Sequence, residues 1–398
     1  MNITIIQSAS IGFFPRFYQL LRKAIINNGD NVVLLQPNNG SNQRIVLENQ
    51  ILFGSRLNWF IHFNLYRITG LQDIWSFFET INLLFKLKKN KPDIIHLHVV
   101  NECSINFPLF TWFTRKYKIP VVWTMHDCRA FTGRCPYFDE INCERWKTGC
   151  GKCPQKELYS PSWFDNSALQ WKIRNKLFNS FYSLLIVTPS QWLANYVKQS
   201  FLKNNKCRVI YNGVDLSDFQ KAQSDEWLDN YKLRGKNIIL GIAGSWEKRK
   251  GFDYFEKLAK DLSDDYKIVL VGDIPQINSR IINIPKTQDK ALLASLYQHS
   301  TLFCNPTLAD NFPTTNIEAL ASGTPVITFN TGGSPESVDY SCGIVVEKYN
   351  YDELKNAVIY MCSHIEEYSK NNCIERSKCF SELQYNEYVK LYHNITNK

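Results

Sequence analysis

At 398 residues the chain is about twice the length of a usual domain, and 44% hydrophobic with 14% aromatic residues excludes a disordered polymer. Its net charge of +9 is uneven: residues 1–200 carry 23 Lys and Arg against 12 Asp and Glu, leaving 23 against 25 beyond. No apolar run approaches the roughly 18 residues of a membrane span, and MNITIIQSAS lacks the charged-then-apolar layout of a secretory signal, so a cytoplasmic protein is expected.

The first expected strand is Ile3–Ile6, followed by the loop Ser8-Ala-Ser-Ile-Gly12. Aromatic clusters come next, Phe13-Phe14-Pro15-Arg16-Phe17-Tyr18 and Trp59-Phe60-Ile61-His62-Phe63, then a basic run from Lys86 to Lys91. Basic residues mixed with aromatics suit an anionic membrane surface or a pyrophosphate-bearing lipid. A solvated face over an ordinary amphipathic helix is the alternative, and no nucleic-acid-binding motif is present.

Further strands are expected at Val32–Leu35, Ile94–Leu97, Val121–Met125, Leu185–Thr188 and Val209–Tyr211. Val121–Met125 leads into His126-Asp127, a histidine at a carboxyl edge of the sheet. Cys128, Cys135, Cys143, Cys150 and Cys153 then crowd into 26 residues of an insertion, 128–160. In a cytoplasmic protein these argue against a disulfide framework. Cys135, Cys143 and the Cys150-Gly-Lys-Cys153 knuckle supply four thiolates for one closed, structural zinc; buried free thiols or a redox pair are the alternatives.

The turn Asn212-Gly-Val-Asp215 marks a seam, and a fresh strand series begins at Ile238–Ala243. It continues with Ile268–Val271, Leu302–Cys304, Val326–Phe329 and Ile344–Val346, with helical periods such as Phe252–Leu262 and Asp352–Cys362 between. Two alternating series predict two doubly wound α/β domains, 1–207 and 208–380, with a last helix in 381–398. Gly241 to Gly251 follows a strand and opens a helix, so Arg249 and Lys250 stand at a strand's carboxyl end. Cations there suit the growing charge of a departing diphosphate. Gly272-Asp273 and Ile284–Thr287 lie at the edge where a nucleotide base would bind.

The densest stretch is Pro306–Ile327, PTLADNFPTTNIEALASGTPVI. A strand, a turn through Asn311-Phe312-Pro313 and a helix from about Thr315 to Gly323 put a helix N-terminus at the carboxyl edge of a parallel sheet. Phosphate is favoured there, and ligands bind at that edge in open α/β sheets. Carboxylates beside it, here Asp310 and Glu318, can accept hydrogen bonds from sugar hydroxyls. Thr315-x-x-Glu318 also reads as a capping box, in which the glutamate serves only its own helix. Gly332-Gly333 ahead of Ser334-Pro-Glu336 offers further backbone donors.

This pattern resembles the retaining glycosyltransferases of family four, whose signature is two glutamates separated by seven residues; Asp310 here replaces the first. The resemblance implies a GT-B architecture, two Rossmann-like domains facing a cleft, with the C-terminal helix returning to the first. It implies Arg249 and Lys250 on the donor diphosphate, Glu318 on the ribose, Asp310 on the sugar and His126 near it. Ser245, Asn311, Phe312, Thr314, Thr315 and Gly12 complete the implied donor site. Two departures stand out: relatives carry an arginine where Gly244-Ser245 lie, and a double glycine where only Gly12 matches. No Asp-x-Asp occurs, so a metal-free transfer of a hexose with retention is implied. The donor is a nucleotide-sugar, the acceptor a polyprenyl-diphosphate-linked saccharide at the inner membrane face, and the setting is capsule or exopolysaccharide assembly. A nucleotide-sugar epimerase and a non-catalytic nucleotide-sugar-binding protein are the alternatives on the same scaffold.

Overall fold

The computed structural model describes the chain except residues 10–11, 40–44, 101–103, 160, 222, 277 and 397–398. Two compact units emerge, Met1–Ile210 together with Tyr385–Lys398, and Tyr211–Gln384.

The first unit is built on seven parallel strands: β1 (Asn2–Ile6), β2 (Asn31–Pro37), β3 (Gln50–Phe53), β4 (Ile94–Leu97), β5 (Val121–Thr124), β6 (Leu184–Thr188) and β7 (Lys206–Val209). Their order is β3-β2-β1-β4-β5-β6-β7. Alternate residues of each strand feed opposite faces. Ile6, Leu35, Ile95, Leu97 and Trp123 pack into one core. Ile3, Ile5, Leu34, Ile94 and Val122 pack into the other. Because both faces are covered, β4, β5 and β6 are buried along their whole length.

The helix Gln384–Thr396 closes the second of these cores with Tyr385, Tyr388, Val389, Leu391 and Tyr392. Burial alone does not fix its register. The Tyr392 hydroxyl lies 2.6 Å from His96 Nδ1, and His96 Nε2 lies 2.8 Å from the Thr124 hydroxyl. Thr124 in turn donates to the Tyr388 hydroxyl. A buried chain of four polar groups thus ties the returning helix to β4 and β5.

The second unit has six parallel strands: β8 (Asn237–Ser245), β9 (Tyr266–Asp273), β10 (Ile281–Ile284), β11 (Leu302–Asn305), β12 (Val326–Phe329) and β13 (Gly343–Val346). Their order is β10-β9-β8-β11-β12-β13. Leu240, Val269, Phe303 and Val326 face one core; Ile239, Leu270, Leu302 and Ile327 face the other. In each sheet the order reverses beside its first strand, between β1 and β4 and between β8 and β11. A crevice at the carboxyl ends of such a pair is where doubly wound sheets take their ligands.

Three strands depart from the sequence expectation. β3 and β10 are short edge strands that the apolar pattern did not reveal. β7 covers Lys206–Val209 rather than Val209–Tyr211, because an edge strand keeps polar residues on its open side. Ile210 and Tyr211, the more apolar pair, instead pack into the cores of their own units.

Candidate functional site

In the second unit the two loops flanking the β8–β11 reversal are locked together. After β8 the chain makes a tight turn through Lys248–Lys250, and Gly251 follows at φ 82° to open the helix Phe252–Asp261. A side chain at Gly251 would meet the Pro306 carbonyl at 2.2 Å, so only glycine lets the β8 loop lie on the β11 loop. The Arg249 carbonyl accepts from the Leu308 N–H at 2.7 Å, and the Arg249 guanidinium donates to the Ala309 carbonyl at 2.8 Å. Its other side is held by Glu247 at 2.8 Å.

Lys250 Nζ lies 2.7 Å from Asp310 Oδ2, across the reversal. Both side chains keep some exposure, 27% and 17%. Burial would raise the Asp310 pKa, but the Lys250 charge and hydrogen bond, with Arg249 and the Asn311 N–H, hold it below the ordinary carboxylate value. Asp310 is therefore ionised at neutral pH. The cation expected on a diphosphate is already paired with the carboxylate expected on a sugar.

The helix after β11 runs Thr314–Ala321, one residue earlier than expected, behind Pro313 and with no side-chain cap. Glu318 is its fifth residue, past the position a capping glutamate takes. The capping-box alternative thus fails; Glu318 Oε2 accepts from the Tyr297 hydroxyl at 3.3 Å instead. The half-buried Thr314 and Thr315 form the helix's first turn, and Asn316 is fixed by Asn305 and Ser337. Asn311 is buried, and its carbonyl accepts from the Gly333 N–H. A Cβ on Gly332, at φ 58°, would fall 1.6 Å from the Asp310 carbonyl, so this turn braces the Asp310 backbone. Phe312 departs from its expected part. Its ring packs between Tyr211 and Phe380 in the core, leaving only its backbone for a ligand.

Ser245 ends β8, exposed, in register with Asp273. Where relatives carry an arginine, Gly244 leaves room for another cation that the sequence pattern did not reveal. A Cβ there would lie 3.6 Å from Lys286 Nζ, which brings an ammonium from beyond β10 over the end of β8.

In the first unit, His126 follows β5 and its Nε2 lies 3.0 Å from His98 Nδ1. The edge of its ring meets Phe14 and Phe17, with centroids 4.9 and 5.6 Å away. Burial drives the pKa of His126 down to about 3 and holds His98 well below its ordinary value. Both rings are neutral at working pH, so His126 offers a hydrogen bond and not a charge. Gly12, at φ 71°, precedes the helix Phe13–Asn27; its neighbours Ser10 and Ile11 lie outside the described residues.

Cys135, Cys143, Cys150 and Cys153 line one small cavity in the insertion, and Cys128 does not. No disulfide joins the described cysteines. Among the described residues no three His, Cys, Asp or Glu side chains stand ready to hold a metal ion.

Comparison with known proteins identifies the family and the fold. The family model described as Glycosyl transferases group 1 matches residues 223–378, and the one described as Glycosyltransferase Family 4 matches residues 16–218. The glycosyl transferase WcaC of Escherichia coli (strain K12), named for colanic acid biosynthesis, is 26% identical over 321 residues, 76% of this chain and 77% of its own. An N,N'-diacetylbacillosaminyl-diphospho-undecaprenol alpha-1,3-N-acetylgalactosaminyltransferase of Campylobacter jejuni is 23% identical over 248 residues, 55% of this chain and 64% of its own. Among solved structures, sucrose-phosphate synthase of Thermosynechococcus elongatus superimposes with a TM-score of 0.71 at 17% identity, covering 100% and 99% of the two chains. HepE of Anabaena in complex with UDP gives 0.68 at 15%, covering both chains in full. At such identities the structural likeness speaks for the fold, the two-domain GT-B architecture. With one model spanning half of its length and a second most of the remainder, the chain belongs to Glycosyltransferase Family 4.

Proposed function

We propose that the chain transfers a hexose from a nucleotide-sugar to a polyprenyl-diphosphate-linked saccharide, with retention and without a divalent cation, in surface polysaccharide assembly. The observation that carries this is the Lys250–Asp310 pair at the sheet reversal of the second unit. Three N–H bonds on the ammonium leave two for phosphate oxygens after Asp310 has taken one. The uncapped first turn at Thr314 and Thr315 supplies backbone donors to the same anion. Lys286 adds charge above Gly244, offsetting the absent arginine. Charge on the leaving diphosphate grows as the glycosidic bond breaks, so fixed cations stabilise the transition state more than the bound donor.

Asp310 keeps a second oxygen for a sugar hydroxyl, and Glu318 accepts from the ribose. His126, kept neutral by burial, offers a hydrogen bond without a charge at the carboxyl edge of the first sheet. The acceptor attacks from the face the diphosphate leaves, and the departing phosphate takes its proton, which preserves configuration. The relative from Campylobacter, named for a diphospho-undecaprenol acceptor, supports the lipid-linked substrate. HepE, solved with UDP-glucose, supports the donor class.

An exposed apolar and basic surface on the first unit supports the same acceptor. The helix Arg56–Thr69 exposes Leu57, Phe60 and Ile61, and the helix Phe77–Asn90 exposes Phe78 and Phe85 beside Lys86, Lys88 and Lys89. No described helix is long and apolar enough to cross a membrane; the exposed aromatics beside lysines are what support attachment at the inner membrane face.

The deciding experiment incubates the purified chain with UDP-, GDP- and ADP-sugars and lipid-linked acceptors in excess EDTA, reading product anomers by NMR. An α-linked product from an α-donor is expected, with Lys250→Ala at least about tenfold slower. Donor isomerised without acceptor would mean an epimerase. Donor bound without turnover on any acceptor would mean a binding protein.

A further inference from the structure

The insertion after β5 holds a feature that sugar transfer does not use. Four cysteines from three separate turns of chain, Cys135, Cys143, Cys150 and Cys153, surround one cavity of about 20 Å³, room for about one water-sized sphere. Two of the four sulfurs, those of Cys150 and Cys153, have backbone N–H groups turned to them. The Gly133 N–H donates to Cys150 Sγ at 3.1 Å, and the Gln155 N–H is directed at Cys153 Sγ. A thiol is a weak acceptor, whereas a thiolate takes such N–H bonds well.

The backbone is shaped for this approach. Lys152, between the paired cysteines, is left-handed at φ 47°, which folds Cys150-Gly-Lys-Cys153 back on itself. Gly133 lies so close that a Cβ would stand 2.9 Å from Cys150 Cβ and 2.5 Å from the Ser167 carbonyl. Cys128 lies outside the ring, packed in the core of the unit.

We propose that Cys135, Cys143, Cys150 and Cys153 bind one tetrahedral structural zinc ion. Four sulfurs fill zinc's coordination sphere, which leaves no open position for chemistry. The four cysteines line the one cavity, and each would release its thiol proton as its sulfur takes the metal. The ion fastens the insertion to the helix Ser167–Phe178, whose first residue also lines the cavity.

Metal analysis of the full chain, purified in reductant and exchanged through metal-free buffer, tests this. About one zinc per chain is expected. Cys150→Ser/Cys153→Ser is expected to retain under about a tenth of that, while the exposed Cys379→Ser retains all of it. Cobalt(II) in place of zinc should give thiolate-to-cobalt charge-transfer bands and a tetrahedral visible spectrum. Folded wild-type protein that carries no zinc and takes up no cobalt would overturn the proposal. Disulfides among these four cysteines in protein isolated without reductant would do the same. Should the double variant not fold, zinc content and cobalt spectrum of the wild type decide alone. The result is independent of sugar transfer, since activity is not the readout.

Discussion

The Lys250 ammonium reaches Asp310 across the reversal of the second sheet, so each is preorganised by the other. Removing the amine leaves a partly buried carboxylate without its counter-ion, and Lys250→Ala is expected to cut turnover at least about tenfold while the fold persists. Asp310→Asn keeps the shape and frees the ammonium. Nucleoside diphosphate is expected to bind that variant at least as tightly while transfer falls, a split that calorimetry and rate measurement read separately. Glu318→Gln should weaken donor binding at unchanged melting temperature, because Glu318 lies beyond the capping position. A fall in melting temperature with binding intact would return Glu318 to a structural part. At Gly332 the constraint is steric. Gly332→Ala, at φ 58° and 1.6 Å from the Asp310 carbonyl, is expected to cost at least about 1–2 kcal/mol and to displace Asp310, seen as lower stability together with lower activity.

Strands and helices set the response to acid. His96, His98 and His126 lie on or just after β4 and β5, and burial takes the pKa of His96 and His126 down to about 3. In the unfolded chain each imidazole takes up a proton near pH 6.5. Between those values the unfolded state binds more protons, so stability is full above about 6.5 and is lost as the pH falls. Each such imidazole is expected to cost about 2 kcal/mol at pH 5, measurable as a melting temperature that drops from pH 7 to pH 5. Tyr392→Phe belongs to the same element: it strips His96 Nδ1 of its partner and should destabilise the first unit by about 1–3 kcal/mol.

What was legible in the chain follows the same physics. Central strands such as β5, β6 and β12 are buried on both faces, so their apolar runs read directly. The edge strands β3, β7 and β10 bury one face or less and carry Gln50, Arg208 and Asn283 where a core strand would carry Val or Ile. The carboxylates and cations of the site were legible as residues at strand ends. Their pairing was not, because Lys250 and Asp310 are sixty positions apart and meet only where the sheet reverses. Lys286 lies within Ile284–Thr287, a segment expected at the nucleotide edge, but its approach to Gly244 at the end of β8 was not legible, because the two are over forty positions apart and meet only through the sheet. The packing of the Phe312 ring on Tyr211 and Phe380 was not legible, since an aromatic in a turn and one anchoring that turn to a core have the same sequence.

On the scale of the molecule, net positive charge and exposed aromatics are concentrated in the first unit. Trp163 and Phe164 extend the apolar surface of the helix Arg56–Thr69, joined to it by a hydrogen bond from the Trp163 N–H to the Arg67 carbonyl. The chain is expected to sediment with vesicles containing anionic phospholipid and to be released as salt rises. Phe60→Ser/Phe85→Ser should weaken the association without touching transfer to a short soluble acceptor. Equal binding to neutral vesicles at high salt would assign the surface to another partner.

The returning helix Gln384–Thr396 bears on how the protein is made. Residues 211–384 form one uninterrupted stretch, which can settle as soon as it leaves the ribosome. The earlier stretch must wait with Phe17 and His96 uncovered until Tyr385, Tyr388 and Tyr392 arrive; Tyr392 follows its partner His96 by 296 residues. A frameshift past codon 383 therefore injures the half translated first, and chaperone demand during synthesis falls on that half.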